Sequence, residues 1–294
     1  MEQVGIATIR ALLTAKPRPV GWAERRRRLD EIGATWPVAS DVALTGVDID
    51  GIPGEWSTVP GSNSSRVLLF LHGGGYCSGS IISHRRMVSE AGRAAGVRTL
   101  AIGYRLAPEN PFPAAFDDAV TAWHFLRRQG VAAEHIAIGG DSAGGGLSLA
   151  VALKLQNMNE ELPACLWLVS PWTDLTMSGS TLITKDVVDP LIHKGYLREL
   201  ADAYLGSASD RKDPRVSPLF ANLTGMPPLL IQVGSAETLL DDAIRLAAAA
   251  GEADVSVTLE IWPHMIHAWH LWNAHLEPGQ QALGNAGSFM REHL

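Results

Sequence analysis

The chain predicts an α/β fold, a mostly parallel sheet with helices on both faces. Three observations carry this. Short apolar runs alternate with helical stretches over most of the length, with short connections. The runs at 66–71 and 228–233 are continuously apolar rather than alternating, as strands covered on both faces are. One such run breaks into glycines around a single serine, Gly139-Gly140-Asp141-Ser142-Ala143-Gly144, and a second apolar run of helical character follows at 147–155.

The elements follow in order. Residues 1–40 are mixed and amphipathic, with a helix expected from 22 to about 32 and breaks at Pro17, Pro19 and Pro37. They do not open a strand–helix repeat, so they read as an appendage, the N-terminal part of a cap. From 41 to 59 a loose alternation around Gly51-Ile52-Pro53-Gly54 suggests an antiparallel hairpin, and 61–65 a surface loop. The strand at 66–71 ends in His72-Gly73-Gly74-Gly75-Tyr76. A helix at 83–95, a strand at 98–104 and a helix at 113–129 lead to the strand at 135–139, which enters the serine turn. Further strands are expected at 163–170, 228–233 and 255–262, and helices at 237–251, 267–276 and from about 281. Between 173 and 226 there is no strand pattern, only polar turns and short helices, one near 196–204. That interval reads as an insertion at the C-terminal edge of the sheet, where active sites of open α/β sheets lie. The catalytic domain is therefore set at 41–294, with a cap insertion at about 175–210.

Bulk properties narrow the function classes. A chain of 294 residues can bury a sizeable core without staples. A formal charge of −7, with charges scattered, argues against a nucleic-acid surface. The one basic run, Arg25-Arg26-Arg27-Arg28, is followed at once by Asp30 and Glu31 and reads as a solvated helix face. The two cysteines, Cys77 and Cys165, build no disulfide framework and have no metal-ligand spacing, which suits a reducing compartment. No secretory leader pattern is visible, and no apolar run approaches the roughly 20 residues that cross a bilayer. The expectation is a cytoplasmic protein without a membrane span.

The serine turn carries chemistry. A nucleophilic hydroxyl must stand clear of its own backbone, which demands a sharp strand-to-helix turn. Gly140 and Gly144 remove the Cβ atoms that would collide there, giving the G-x-S-x-G elbow with Ser142 at its apex. A serine needs a base, and the base an orienting acid. In this kind of sheet they follow in the order serine, acid, histidine, each after a strand. The strand at 228–233 runs into Gly234-Ser235-Ala236-Glu237, so the acid expected is Glu237. Asp241 and Asp242 fall one turn into the next helix and should point away. The strand ending at Trp262 runs into Pro263-His264-Met265-Ile266-His267, so the base is His264 or His267. His264, His267 and His270 are spaced three apart but lack the H-E-x-x-H pattern and a carboxylate at ligand spacing, so no metal is expected. Nor is a phosphate-binding cofactor, because the glycine loops match neither G-x-G-x-x-G nor a G-K-[ST] ending. For the oxyanion, the N–H of Ala143 supplies one donor and the loop His72-Gly73-Gly74-Gly75 others. His72 itself is expected to brace the loop.

At this point the chain resembles bacterial esterases of the hormone-sensitive-lipase group, within the α/β-hydrolase fold. The matching stretches are His72-Gly73-Gly74-Gly75, Tyr104-Arg105-Leu106-Ala107-Pro108-Glu109, Gly140-Asp141-Ser142-Ala143-Gly144, Ser170-Pro171-Trp172-Thr173-Asp174-Leu175, Asp213-Pro214-Arg215-Val216-Ser217-Pro218 and His267-Ala268-Trp269. The resemblance implies Ser142 as nucleophile, His267 as base, and an oxyanion hole of the Gly73, Gly74 and Ala143 N–H groups. It also implies an eight-stranded mixed sheet, a helical cap built from the N-terminus and the insertion, and a homodimer through the last strand. In the acid turn the chain departs from the family pattern, with Glu237 where aspartate is common. The function expected is a serine carboxylesterase acting on short-chain acyl esters without a cofactor, with Trp172 as a pocket wall. The alternatives are a non-catalytic small-ligand-binding protein on the same fold, or an acyltransferase or amidase using the same residues.

Overall fold

The structure is a computed structural model and describes residues 4–15, 17–206 and 210–294. The parts of the cap expected at 1–3, 16 and 207–209 lie outside the described residues. The strands are β1 Ala43–Ile49, β2 Ile52–Thr58, β3 Asn63–Leu71, β4 Val97–Ile102, β5 Ile136–Asp141, β6 Cys165–Val169, β7 Leu229–Gly234 and β8 Val257–Trp262. They form one eight-stranded sheet in the order β1-β2-β4-β3-β5-β6-β7-β8. The β1–β2 hairpin is antiparallel, as is its junction to β4, and every pair from β4 to β8 is parallel.

Along β3, Val67, Leu69 and Leu71 face one core, while Leu68 and Phe70 face the other. This is the period-2 geometry of a strand with both faces covered. The first face packs against α4 (Ala114–Arg128), α5 (Ala143–Asn157) and α8 (Leu240–Glu252) through residues such as Trp123, Leu149 and Leu246. The second packs against α3 (Ile81–Ala95) and α9 (Glu277–His293) through Met87, Ala91, Leu283 and Met290. Polar 61–65 does not stay a loop throughout. Asn63 pairs with Val97 and the register shifts before Val67, so the solvent-facing end of β3 is irregular.

The helix expected at 267–276 is only a short 3-10 turn, Trp269–Trp272. Ala268 before it is left-handed, with φ 49° and ψ 41°, and its N–H donates to the Ser170 hydroxyl at 3.1 Å. That bond fixes the chain at the sheet edge and interrupts the helical path. Over the C-terminal edge lie α1 (Ile6–Thr14), α2 (Trp22–Ala34), α6 (Thr181–Thr184) and α7 (Lys194–Leu205). Helix α1 buries Ile9 among Met265, Trp269 and Trp272. Helix α2 is tied to α7 by Arg25, whose guanidinium reaches Glu199 at 2.9 and 3.0 Å. Among the described residues no helix is long and apolar enough to cross a membrane.

Candidate active site

Ser142 sits between β5 and α5 with φ 55° and ψ −121°, a conformation that a residue with a side chain rarely adopts. The surroundings impose it. The Ser142 N–H donates to the Val169 carbonyl at 2.8 Å, and its own carbonyl accepts from Trp172 at 2.9 Å. A Cβ at residue 140 would lie 2.4 Å from the Gly144 carbonyl carbon, and one at residue 144 would lie 1.9 Å from the Leu71 carbonyl oxygen. The second clash is with neighbouring β3 rather than across the turn, so Gly144 also lets α5 approach the sheet.

Glu237 and His267 come together. The His267 Nδ1 lies 3.2 Å from Glu237 Oε1, with the carboxylate fully buried. The other oxygen, Oε2, accepts from the Gly234 N–H and the Ser170 hydroxyl, both at 2.8 Å. Burial pushes the Glu237 pKa up, and the bond to His267 offsets part of that. For His267, burial alone would lower the pKa, but the hydrogen bond and charge of Glu237 outweigh it and the imidazole stands above its ordinary 6.5. The rivals lie elsewhere. Asp241 accepts the Ser180 N–H and Asp242 those of Thr173 and Asp174, so both hold the loop after β6. His264 is exposed, and His270 is buried with Nε2 3.0 Å from Gln232 Oε1.

The glycine loop corrects one expectation. The Gly73 N–H donates to Asp141 Oδ1 at 2.8 Å and is therefore unavailable to an oxyanion. Gly74 and Gly75 instead line the cavity above Ser142, and their N–H groups have no partner among the described hydrogen bonds. Ala143, at the first position of α5, carries one of the N–H groups a helix start leaves unpaired within the helix.

Two of the residues that hold this loop, Asp141 and His84, were not singled out for it from sequence. Asp141 is buried and pairs with His84 Nε2 at 3.1 Å. Burial would raise the Asp141 pKa, but the charge and hydrogen bond of His84 outweigh it and hold the carboxyl below 3.8. His72 does brace the loop: Nδ1 meets the Gly73 carbonyl at 2.8 Å, the ring stacks on Tyr104, and the Tyr104 hydroxyl donates to the His72 carbonyl at 2.7 Å. The signal for His84 was its position in the first turn of the helix that follows the glycine loop.

A cavity of about 440 Å³ opens above Ser142, and His267, Asp141 and His84 share its wall. Among the described hydrogen bonds none joins the Ser142 hydroxyl to the His267 ring, and both residues line the cavity. Leu29, Ile32, Leu191, Ile192 and Leu197 give it an apolar roof. Trp172 is not part of it. Its backbone N–H donates to the Ser142 carbonyl, and its side chain lies in the core beside Tyr76, fully buried.

An eight-stranded sheet, a glycine-flanked serine in strained backbone and a histidine on a buried carboxylate define the hydrolase class built on this fold. The sequence profile of the family described as alpha/beta hydrolase fold matches residues 68–271. An acetyl-hydrolase of Streptomyces hygroscopicus is 44% identical over 81% of this chain and 79% of its own length. A crystal structure of an esterase from the bacterial hormone-sensitive lipase family superposes with a TM-score of 0.94 at 41% identity, over 98% of this chain and 96% of that one. An esterase/lipase from an uncultured bacterium gives 0.94 at 42%, over 99% of both chains. The chain belongs to the bacterial hormone-sensitive-lipase family of α/β-hydrolase-fold esterases.

Proposed function

We propose that the protein is a serine carboxylesterase that hydrolyses short acyl esters through an acyl-enzyme. The observation that carries the reading is the contact of the His267 ring with the buried Glu237 carboxylate, on the wall of the cavity that Ser142 also lines. Ser142 Oγ attacks the ester carbonyl carbon while His267 Nε2 takes its proton. Glu237 holds the proton on Nδ1 and stabilises the imidazolium. The oxyanion is received by the N–H groups of Gly74, Gly75 and Ala143, which are fixed in direction before substrate arrives. The alcohol leaves with the proton from His267, and water then repeats the sequence on the acyl-serine.

A cavity of about 440 Å³ under an apolar roof suits a short acyl chain, and the acetyl-hydrolase relative points the same way. The same reading includes a homodimer across β8, whose outer edge pairs with no strand among the described residues. A cytoplasmic location accords with Cys77 and Cys165, both buried as free thiols.

An organophosphate should label Ser142 stoichiometrically, and Ser142→Ala should abolish both labelling and hydrolysis of p-nitrophenyl acetate. Labelling elsewhere, or retained turnover in the variant, would refute the assignment. In an acyl-length series, acetate and butyrate should be turned over faster than decanoate.

A further inference from the structure

The chain is acidic overall, at −7, yet the cavity above Ser142 is not. Its wall bears three arginines, Arg18, Arg25 and Arg28, against one carboxylate, Asp141. That carboxylate is already engaged by His84 and by the Gly73 N–H. Arg25 is matched by Glu199 in a two-bond contact. Arg18 and Arg28 are different. Arg18 donates to the Leu191 carbonyl and Arg28 to the Pro17 carbonyl, and neither meets a carboxylate among the described residues. Several other guanidinium groups end on acids, as Arg26 does on Glu109, Arg105 on Asp118 and Arg245 on Asp174.

Arg18 is also half-buried, with its guanidinium 3.9 Å from the Tyr196 ring centre, while Arg25 lies 5.1 Å from the same ring. Burial lowers the Arg18 pKa, and the neighbouring charge of Arg25 adds to that. Tyr196, Asp189 and Glu199 oppose this, but Asp189 already accepts the N–H groups of Leu191, Ile192 and Thr238, and Glu199 is held by Arg25. Half-buried Arg18 and the more open Arg28, which feels the charge of Glu24, thus line the cavity beside Leu29, Ile32 and Leu191 without a carboxylate bonded to either. In such apolar surroundings an anion gains far more from them than it would in water.

We infer that the substrate carries, besides its ester, a second ionised acid group that Arg18 and Arg28 receive on the cap side of the cavity. This rests on the esterase reading of the same cavity. The ester cleavage itself is unchanged; the added acid group is a handle that orients the molecule over Ser142. Carboxylate and phosphoryl groups share the chemistry, and guanidinium forks fit both.

The test compares kcat/KM for 4-acetoxybenzoate and 4-acetoxyphenyl phosphate with that for neutral methyl 4-acetoxybenzoate. Phenyl hydrogen adipate is compared with its methyl ester, which moves the acid to the acyl side. Each ratio of acidic to neutral ester is measured in the full chain and in Arg18→Gln/Arg28→Gln. In the double variant the ratio should fall on the order of tenfold or more for at least one acid, the size of a lost charge-assisted hydrogen bond. The acid with the larger fall identifies the group. Ratios unmoved by the double variant in every series would overturn the inference.

A measurement on the unaltered chain guards against a variant that fails to fold. There 4-hydroxybenzoate should inhibit phenyl acetate hydrolysis at lower concentration than 4-hydroxybenzamide, and equal inhibition would also overturn the inference. Failure of the esterase reading would look different, because phenyl acetate hydrolysis would then be absent from the unaltered chain or would survive Ser142→Ala.

Discussion

At Glu237 a side chain one methylene longer than aspartate reaches the imidazole, and the backbone makes room for it. A Cβ at residue 234 would lie 2.2 Å from the Met265 carbonyl oxygen and 3.0 Å from Glu237 Oε2, so glycine there lets the carboxylate and the histidine loop share one place. If Glu237 is the orienting acid, Glu237→Gln should lower kcat by on the order of 10⁴-fold. Asp241→Asn should cost little by comparison, because its side chain meets the Ser180 N–H instead. The pH dependence has a definite sign. If His267 is the base, it must be neutral to accept a proton, and its pKa is raised, so the acid limb of kcat/KM should lie above pH 6.5. Removing the glutamate charge should move that limb to lower pH, and a pH–rate profile of residual activity reads it.

Gly73 supplies a second residue-scale expectation. A Cβ there would lie 2.1 Å from Asp141 Oδ2, so Gly73→Ala should lose most activity even though its N–H faces away from the cavity. Comparing kcat with affinity for a boronic-acid inhibitor would locate the damage at the oxyanion. In the sequence, strand ends and turn chemistry were enough to single out Glu237. They said nothing of which glycine N–H groups were free, since that depends on Asp141, 68 positions away.

Helix α3 shows what elements add to residues. Its first turn places His84 against Asp141, and Asp141 holds the glycine loop, so one helix start fixes the register of the loop and of Ser142 together. Ser80 caps this start with a reciprocal bond to Ser83, which leaves the turn little freedom. Burial alone would lower the His84 pKa, but the charge and hydrogen bond of Asp141 outweigh it and raise the pKa above 6.5. A raised histidine pKa stabilises the fold fully below the unfolded value, and that contribution is lost as pH rises through the folded value. The Tm gap between the unaltered protein and His84→Gln should therefore be widest below pH 6.5 and narrow above it. The strands and long helices were legible because burial on two faces writes continuous apolar runs and burial on one face writes a 3.6 period. The turn at Trp269–Trp272 was not, because Trp269, His270 and Trp272 are all buried and their apolar spacing imitates a helix.

For the whole molecule, the sheet ends on one side in β8, with Ile261 exposed on the edge strand. An unpaired edge is a template for a second chain. Light scattering should give the mass of two chains, and Ile261→Lys should shift it toward one; a single-chain mass for the unaltered protein would remove the dimer from the reading. That Ser142, Glu237 and His267 lie at one rim was readable because each follows a strand, β5, β7 and β8. The cavity was less so, because its roof comes from segments far apart in sequence, such as α2 and the residues at 190–197. The complete burial of Glu237 has one more effect. Dissolved ions cannot come close to a carboxylate sealed behind His267, Ser170 and Gly234, whereas Arg18 and Arg28 are only half-buried on the cavity wall. Ionic strength screens exposed charges within about 10 Å at 0.1 M and sealed pairs far less. Added salt should thus leave the chemical step nearly untouched while weakening whatever hold the cavity has on a charged ester, dividing turnover from capture in a single titration.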